Sequence, residues 1–403
     1  MTKTANIVGA GLGGLAAAVA LCAAGMTIHV YEQADALAEV GAGIQLSPNA
    51  MLALRALGVE AQVISKGFKP RAAVIRDFRS GKCYMNAPLA DDCTRRYGAP
   101  YIHIHRADLH SILLNAAQDA GVTVETGVQV AGYDADGSSP ALRFEDGRTA
   151  PADLLIGADG LKSCVRAQMA TSQAPEFTGQ VAWRGLIPTR ELPDDLVAPD
   201  ATVWAGPGRH FVTYFVQGGD LVNFVAVEER SDWRGESWTE QGEKADLRAA
   251  FDGWRPEVTT LIDHAEQCFL WALFDRAPLP KWSDGPITLL GDACHPMPPF
   301  MAQGAAMAIE DAYVLAKCIQ ADAFLPRALH RYEDLRKPRT SKVLARARAN
   351  ADLFHMNGAG AKARLFAASL LPQRFALSPL DWIYGFDPTA TPAGPGWSLT
   401  SQQ

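Results

Sequence analysis

The chain has 403 residues, of which 48% are hydrophobic and 20% charged, with a formal net charge of −7. This length exceeds one small hydrophobic core, so we expect two or three domains or one elaborated fold. The acidic balance argues against a nucleic-acid partner, because that binding depends on clustered positive charge.

Seven cysteines are scattered along the chain without a CxxC pair. This pattern favours reduced thiols in a cytoplasm over a disulfide framework or a zinc site. The apolar residues 5–24 could be mistaken for a signal peptide or membrane helix. Only Lys3 precedes them, and their glycines divide the run into strand, turn and helix. No other apolar run is long enough to span a bilayer, so we expect a cytoplasmic protein without a membrane partner.

A dinucleotide-binding pattern opens the chain. Residues 5–8 predict a short strand, and residues 9–14 read GAGLGG. An Ala/Leu-rich helix follows, and residues 27–31 predict a second strand. The glycine motif therefore stands in the strand–turn–helix context that makes it specific.

Each glycine of this motif has a physical role. Gly9 allows the tight turn, Gly11 lets the backbone approach a pyrophosphate, and Gly14 lets helix and strand pack closely. Glu32 follows the second strand and can accept hydrogen bonds from ribose hydroxyls. Because Glu32 would repel a 2′-phosphate, the bound dinucleotide is expected to be FAD or NAD rather than NADP.

Further strand ends offer ligand contacts. Residues 40–49 form a Gly-rich turn that can bring backbone near a flat ring, although a plain connecting turn explains it equally well. Arg106 lies where a strand at residues 101–105 meets a helix, a natural place to contact cofactor phosphate or sugar. The two histidines of that strand share a face but lack a third metal ligand nearby. Asp159 ends a buried strand, where open α/β sheets bind ligands.

Alternating apolar residues between about 173 and 276 predict an antiparallel sheet rich in aromatic side chains. Residues 71–100 are β-like and irregular, and suit an excursion from the nucleotide-binding domain. We interpret both segments as a second domain whose inner face can cover a planar ligand.

The stretch at residues 291–311 reads GDACHPMPPFMAQGAAMAIED and follows a predicted strand. Asp292 can accept hydrogen bonds from sugar-like hydroxyls. The amides of Gly304 and Ala305 stand at a helix N-terminus, which favours negative charge. Cys294 is expected to be a packed thiol rather than a nucleophile. Taken alone, the stretch is also compatible with an ordinary strand–loop–helix connection.

A long helix is predicted over residues 325–353. Its eight Lys/Arg between residues 326 and 350 favour a solvated helix face over a nucleic-acid surface, because the protein is acidic. A further apolar helix is predicted at residues 359–371, and the tail from residue 392 is expected to be frayed.

Three motifs, GAGLGG (9–14) with Glu32, IGADGLKSCVR (156–166) and GDACHPMPPFMAQG (291–304), stand in order. Together they resemble the single-component FAD-dependent aromatic hydroxylases, the family of p-hydroxybenzoate hydroxylase and salicylate hydroxylase. Within it the likeness is nearest to 6-hydroxynicotinate 3-monooxygenase and salicylate hydroxylase. The resemblance covers nearly the whole chain to about residue 350.

The family's fold is α/β, a Rossmann-like FAD-binding domain with an inserted antiparallel-sheet substrate domain and C-terminal helices. The resemblance implies a discontinuous FAD-binding domain at 1–70, 101–172 and 277–350. It assigns 71–100 and 173–276 to the substrate domain and leaves 351–403 as a C-terminal helical segment and tail.

The resemblance also implies cofactor contacts, with no resident metal. They fall on the FAD adenosine and pyrophosphate, the phosphate–ribose region, the adenine, the ribityl chain and the flavin pyrimidine edge. The matching residues are Gly9, Gly11, Gly13, Gly14, Glu32, Gln33, Gln45, Arg106, Val130, Asp159, Asp292, Gly304 and Ala305.

The reaction implied is hydroxylation of a small aromatic acid through a flavin hydroperoxide, with NADH or NADPH as donor and O2 as oxidant. His210 and Tyr214, four apart on a predicted strand and so on one face, are the candidates for activating a ring hydroxyl. Pro299 lies where a family carbonyl meets the hydroperoxide. Gln45 and Phe300 stand where the 6-hydroxynicotinate enzyme has histidines. This difference leaves the identity of the substrate's aromatic ring undecided.

The substrate is therefore expected to be a hydroxypyridine carboxylate or a salicylate-like phenolic acid, hydroxylated with or without decarboxylation in aromatic catabolism. The alternatives are a ring lacking a carboxylate, an NAD-dependent dehydrogenase that uses the first motif alone, and a non-catalytic flavin-binding protein. A monomer and a homodimer are both compatible with the sequence.

Overall fold

The computed structural model describes residues 2–37, 42–135, 139–169, 174–230, 241–355, 358–370 and 372–391. These residues form sheets of six, seven, three and two strands together with the surrounding helices. The strands are β1 (Thr4–Val8), β2 (Thr27–Tyr31), β3 (Gly43–Leu46), β4 (Ala72–Asp77), β5 (Cys83–Pro88), β6 (Ile102–His105), β7 (Thr123–Glu125), β8 (Val130–Asp134), β9 (Ala141–Phe144), β10 (Thr149–Pro151), β11 (Leu154–Gly157), β12 (Glu176–Pro188), β13 (Ala201–Gly206), β14 (Arg209–Val216), β15 (Leu221–Glu229), β16 (Phe269–Asp275), β17 (Ser283–Asp284) and β18 (Ile287–Leu289).

Some of the helices pack on the six-stranded sheet and others on the seven-stranded sheet, and the last ones form a C-terminal segment. They are α1 (Leu12–Ala23), α2 (Pro48–Ala56), α3 (Glu60–Lys66), α4 (Ala90–Tyr97), α5 (Arg106–Asp119), α6 (Cys164–Met169), α7 (Lys244–Ala250), α8 (Pro256–His264), α9 (Gly304–Ala321), α10 (Leu325–Phe354), α11 (Gly358–Ser369) and α12 (Asp381–Tyr384). None of the described helices combines the length and apolar character that a bilayer span requires.

The six-stranded sheet has the order β17-β18-β11-β1-β2-β7 and is parallel except for β17. Val8 lies opposite both Tyr31 and Gly157. Because parallel strands end at one edge of the sheet, the residues that follow them, Gly9 and Glu32 included, gather there. The predicted α/β fold is confirmed.

Helix α1 packs against α9 over this sheet. Gly13 permits the close approach, since a Cβ there would lie 2.7 Å from Leu290 Cδ2 and 3.2 Å from Ala308 Cβ. Gly13 therefore serves helix packing in the first place.

The seven-stranded sheet has the order β16-β12-β15-β14-β13-β4-β5 and is antiparallel except between β13 and β4. One face packs on α7 and α8, where Phe211 meets Leu247 and Phe251 in an apolar core. Successive side chains of a strand point to opposite faces, so His210 and Val212 face away from α7 and α8.

Residues 71–100 include a helix that the β-like interpretation missed. Helix α4 has acids in its first turn and bases in its last, and Gly98 follows in the left-handed conformation with φ of +79°. These are helix signals, since the charges complement the helix dipole and glycine closes the C-terminus. The buried Cys93 anchors α4 against Leu377 and Tyr384 of the C-terminal segment.

Candidate active site

Glycines shape the loop between β1 and α1. Gly9 has a φ of +100°, and a Cβ there would lie 2.6 Å from the carbonyl oxygen of Ala158. A Cβ at Gly14 would lie 2.0 Å from the carbonyl oxygen of Gly9. Gly11 differs, since no atom lies within 4 Å of the position that its Cβ would take. The fold therefore requires Gly9 and Gly14, whereas Gly11 leaves open space at the N-terminus of α1 for a phosphate group.

Glu32 stands beside this loop at the end of β2. Its Oε2 accepts a hydrogen bond from the backbone N–H of Ala10 at 2.8 Å, and its Oε1 accepts one from Ala34 at 3.0 Å. The two amides fix the carboxylate and leave further lone pairs for ribose hydroxyls.

Two other predicted cofactor residues lie close to Glu32 in the chain or in space. Gln33 follows it and is exposed. Val130 begins β8, and the N–H of Val128 donates to the carbonyl oxygen of Glu32 at 2.9 Å, which ties this strand to the end of β2. The adenine role of Val130 stays a prediction.

Asp159 has one satisfied and one unsatisfied oxygen. Its Oδ2 accepts a hydrogen bond from the N–H of Cys164 at 2.8 Å. Its Oδ1 is buried and has no hydrogen-bond partner among the described residues. A buried acceptor without a donor is rare in native proteins, so this oxygen fits a donor group of a bound ligand.

Asp292 lies in a single 3₁₀ turn directly after β18. Its side chain opens into a recess of about 160 Å³ that Lys162 and Met297 also line. Desolvation raises the pKa of Asp292, and the nearby charges of His295 and Arg106 oppose that rise. The structure therefore brings Asp292 and Arg106, two of the predicted cofactor contacts, to the same part of the cleft.

The N-terminus of α9 is left available for a ligand. Ala302 adopts the left-handed conformation with φ of +51°, which turns the chain immediately before the helix. Among the described residues no side chain caps α9. The N–H groups of Gly304 and Ala305 therefore stay available as donors at the positive end of the helix dipole. An anionic ring, such as the pyrimidine edge of a reduced flavin, requires donors of this kind.

Gln303 locks this turn to α2. Its Nε2 donates to Ser47 Oγ at 2.9 Å, and its Oε1 accepts from Asn49 Nδ2 at 3.1 Å. These buried polar contacts hold the start of α9 in one position, which a preorganised donor site requires. Taken together, the glycine loop, the unsatisfied Asp159 oxygen and the uncapped helix fit FAD.

A cavity of about 370 Å³ lies between the second sheet, residues 299–302, α10 and the C-terminal segment. Its walls are mostly apolar. Gln45, His210, Pro299 and Phe300, four of the predicted catalytic residues, line it, and their roles stay predictions. Its other polar lining residues are Tyr101, Arg346, Asn350, Arg364 and Tyr384.

Tyr214 lies behind Gln45, to which its side chain is hydrogen-bonded. Its ring packs 4.7 Å from that of His103. Burial raises the pKa of Tyr214, so its hydroxyl stays protonated. Tyr214 and His210 share a strand face, but only His210 borders the cavity. Tyr214 instead contacts Gln45, which does line the cavity.

His103 lies in the core, where its ring packs against those of Tyr101 and Tyr214. Burial lowers its pKa to about 3. His105 accepts a hydrogen bond from the N–H of Ala107 at the start of α5. Both histidines therefore have structural positions.

His210 is buried at the cavity wall. Its Nδ1 lies 2.9 Å from Nε2 of His355, and its ring lies 5.5 Å from that of Phe300. Burial lowers the pKa of His210 well below its ordinary value, and the neighbouring His355 adds to the effect. A neutral imidazole can accept a proton from a ring hydroxyl.

A buried ion network lies beneath residues 291–303, the central loop. Arg336 Nε lies 2.6 Å from Asp311 Oδ1, and its Nη1 lies 2.7 Å from Glu310 Oε2. Arg339 Nε is 2.8 Å from the same Glu310 oxygen. The expected solvated face of α10 is therefore wrong for Arg336 and Arg339, whose side chains are 1% and 9% exposed. Two carboxylates inside an apolar helix need such partners.

His295 joins this network from the loop. Its Nε2 lies 2.5 Å from Asp311 Oδ2. Burial opposes a charge on His295, yet Cys294 and Asp311 raise its pKa well above the ordinary value. Desolvation raises the pKa of Cys294, so its thiol stays protonated, as expected of a packed cysteine.

Cys294, His295 and Asp311 are also the group of potential metal ligands found among the described residues, with donor atoms within 4.8 Å of one another. A protonated His295 donates to Asp311, and Arg336 already supplies positive charge there. The donor set therefore suits an ion pair better than a cation.

Comparison with known proteins accords with this geometry. A family model described as an FAD binding domain matches residues 1–347. The chain is 39% identical over 389 residues to the 3-amino-4-hydroxybenzoate 2-monooxygenase of Streptomyces platensis, covering 96% of both chains. It is 40% identical over 341 residues to the 6-hydroxynicotinate 3-monooxygenase of Bordetella bronchiseptica, covering 84% of this chain and 88% of that one. The chain belongs to the FAD-dependent aromatic hydroxylase family.

The solved structure of Klebsiella pneumoniae HpxO complexed with FAD and uric acid has the same fold, with a TM-score of 0.83 at 28% identity. The match covers 98% of this chain and 97% of that one. The hydroxylase therefore uses FAD and a reduced nicotinamide to insert one oxygen atom of O2 into an aromatic ring. FAD, when bound, supplies the redox chemistry.

Several residues of the hydroxylase's site were not predicted from its sequence. They are His355, Arg336 and the cavity residues contributed from beyond residue 345, including Arg364 and Tyr384. Charges at Glu310 and Asp311 within an apolar helix were a legible signal, because buried carboxylates need cationic partners. The C-terminal contacts had no comparable local signal.

Proposed function

We propose that this hydroxylase acts on a single aromatic ring bearing both an ionisable hydroxyl and a carboxylate. A hydroxypyridine carboxylate and a salicylate-like phenolic acid both meet that description. NADH or NADPH is the donor, and hydroxylation proceeds with or without loss of the carboxylate. The two relatives compared above support this, since their names specify a hydroxybenzoate and a hydroxynicotinate.

The observation that carries the proposal is the combination of His210 with two arginines in one small apolar cavity. Its volume of about 370 Å³ lies near the lower end of small-molecule sites, which are about 300–1,000 Å³. Among the described residues, neither Arg346 nor Arg364 forms an ion pair. In a protein of net charge −7, an anionic ring must be attracted by such local groups.

The remaining wall keeps the ring dry and oriented. Phe300 packs with Trp271 and Leu273 in a buried cluster. Asn350 Nδ2 donates to the carbonyl oxygen of Phe300 at 3.1 Å, which fixes the loop that carries Pro299. With Gln45 held by Tyr214, the proposed roles are a neutral base at His210, orientation by Gln45, and exclusion of water by Pro299 and Phe300.

The test replaces the cationic groups. We expect Arg346→Gln combined with Arg364→Gln to raise KM for an aromatic acid roughly 10- to 150-fold, because a hydrogen bond to a charged group contributes about 1.5–3 kcal/mol. NADH or NADPH oxidation coupled to hydroxylated product is measured with salicylate and 6-hydroxynicotinate.

Arg348→Gln is the control, since Arg348 pairs with Asp275 at 2.6 Å outside the cavity lining. The methyl esters of both acids provide a second control, because they lack the charge. Esters that drive turnover as well as the acids do would contradict the carboxylate assignment.

We further infer a cytoplasmic monomer or homodimer without a nucleic-acid or membrane partner. The net charge of −7 argues against a nucleic-acid partner, and the free state of all seven cysteines supports a cytoplasmic location. Light scattering after size exclusion distinguishes monomer from homodimer, and a higher assembly would contradict both.

A further inference from the structure

A second histidine stands behind His210, outside the cavity. His355 ends α10 as its C-cap residue, and its side chain is fully buried. Its Nε2 lies 2.9 Å from His210 Nδ1, and its Nδ1 lies 2.9 Å from Glu229 Oε1. The Glu229 side chain is 43% exposed. Two hydrogen bonds therefore connect a cavity-lining imidazole with the protein surface.

The contacts fix the tautomer of each ring. An ionised carboxylate only accepts, so His355 donates to Glu229 through Nδ1–H. The Nε2 of neutral His355 is then an acceptor, and His210 must donate to it through Nδ1–H. The ring nitrogen of His210 that remains unprotonated is Nε2. The chain of contacts thus leaves His210 with the lone pair that a base needs.

We propose that His210, His355 and Glu229 form a proton relay that moves the substrate's hydroxyl proton between the cavity and solvent. The relay rests on the proposed function, since it requires a ring hydroxyl at His210. His210 is the catalytic residue of the three, while His355 and Glu229 act through it.

Each transfer in the relay is balanced. The O–H bond of the ring hydroxyl breaks, its proton bonds to His210 Nε2, and the oxygen keeps the electron pair. The Nδ1 proton of His210 passes to His355 Nε2, and the Nδ1 proton of His355 passes to Glu229, which releases it to water. When the product hydroxyl re-forms, the reverse sequence returns one proton and restores both tautomers. No oxidant or reductant takes part.

The surroundings keep both rings neutral, as a relay requires. Burial lowers the pKa of His355, while Glu229 and Asp352 oppose that shift and Arg209 adds to it. The aromatic rings of Phe300 and Phe354 also lie near His210, at 5.5 and 5.3 Å. These groups come from β14, β15, α10 and the central loop. A neutral pair can both accept and donate at each step.

Proton release on binding tests the relay without turnover. Oxidised holoenzyme is mixed with salicylate or 6-hydroxynicotinate in weakly buffered phenol red, and perturbation of the flavin spectrum reports binding separately. We expect His355→Phe to slow proton release about tenfold or more, in line with the contribution of proton-transfer groups, with the binding constant within about twofold of wild type.

Glu229→Gln gives an independent variant at an exposed position, in case His355→Phe does not fold. It should also slow release. It removes a group that raises the pKa of His355, so the acid limb of the kcat–pH profile should move to lower pH. A residue with a purely structural role would not move that limb. Glu228→Gln is the matched control, because Glu228 accepts instead from Trp183 Nε1 at 3.0 Å.

The outcomes separate the two proposals. Wild-type proton release in both His355→Phe and Glu229→Gln would overturn the relay and leave the substrate class intact. Failure of every aromatic acid to perturb the flavin spectrum would overturn the proposed function, and the relay with it. Slow release in both variants with unchanged binding supports the relay.

Discussion

The central loop, residues 291–303, separates two buried polar regions. One region contains paired charges, whereas the titratable side chains of the other are neutral. On the side of Asp292 and α9, which we propose faces FAD and call the FAD side, Arg336 and Arg339 meet Glu310, and Arg336 and His295 meet Asp311, as ion pairs within the protein interior. On the cavity side, which we propose faces the substrate and call the substrate side, His210 and His355 are equally buried but are held neutral. The loop contributes His295 to the first region and Phe300 to the second.

The difference reflects what each region has to do. Burying a charge is costly unless it is paired, and a paired network has few alternative arrangements. Such a network suits the fixed base on which Asp292 and the start of α9 rest. A group that exchanges protons must instead be able to change its protonation state. Burial without a strong ion pair keeps such a group neutral while still able to gain or lose a proton. The predictions below alter one side at a time.

The largest effect is expected on the ion-paired side. Arg336→Met leaves Glu310 and Asp311 buried with less compensation, so the free energy of unfolding should fall by about 3–5 kcal/mol. Chemical denaturation of the holoenzyme measures this change. Arg348→Met is the control, since its partly exposed pair with Asp275 should contribute no more than about 1 kcal/mol.

The pH dependence of the loss of stability in Arg336→Met shows whether unpaired buried charge causes that loss. In wild type, burial opposes ionisation of Glu310 and Asp311, but Arg339, Arg336 and His295 hold both pKa values below the ordinary range. Their stabilising contribution is present above the unfolded pKa of about 4 and is lost as pH falls through the lowered folded values. Protonation relieves the uncompensated charge in Arg336→Met, so the gap from wild type should narrow between pH 7 and pH 4. A constant gap would indicate lost packing instead.

A smaller effect, on FAD affinity, is expected at Gly11, where the backbone rather than a charged side chain is predicted to contact the cofactor. Gly11 has φ of −71° and open space beside it, so alanine fits the apoprotein. If a phosphate occupies that space, Gly11→Ala should raise the Kd for FAD about tenfold or more, which is about 1.4 kcal/mol. Fluorescence titration of apoprotein with FAD measures it. Gly360→Ala is the control, and equal FAD affinity in the two variants would place the phosphate elsewhere.

The FAD side was the more predictable of the two from sequence. Gly14 is dictated by its close approach to Gly9 within one βαβ unit, and Gly9 by the tight turn, with φ of +100°, that opens the same unit. Asp159 and Asp292 follow from their places at strand ends, so for these four residues the local pattern sufficed. His355 could not be predicted in this way, because its contact with His210 spans 145 residues and two separate elements. Arg336 was misjudged for a similar reason, since helix periodicity does not reveal which partner buries a face.

The smallest effect, and the sharpest for the substrate side, is expected at Phe300. Phe300→His places a third imidazole beside the neutral pair, 5.5 Å from His210 by the present ring distance. Burial should keep the new ring neutral, so it adds a hydrogen-bonding group without a charge. We expect the ratio of kcat/KM for 6-hydroxynicotinate over salicylate to change about three- to fivefold, or less than about 1 kcal/mol, with FAD content unchanged. Phe366→His, at an exposed position, is the control. Loss of flavin from Phe300→His with an unaltered ratio would mean that Phe300 supports the ion-paired side of the loop rather than the cavity.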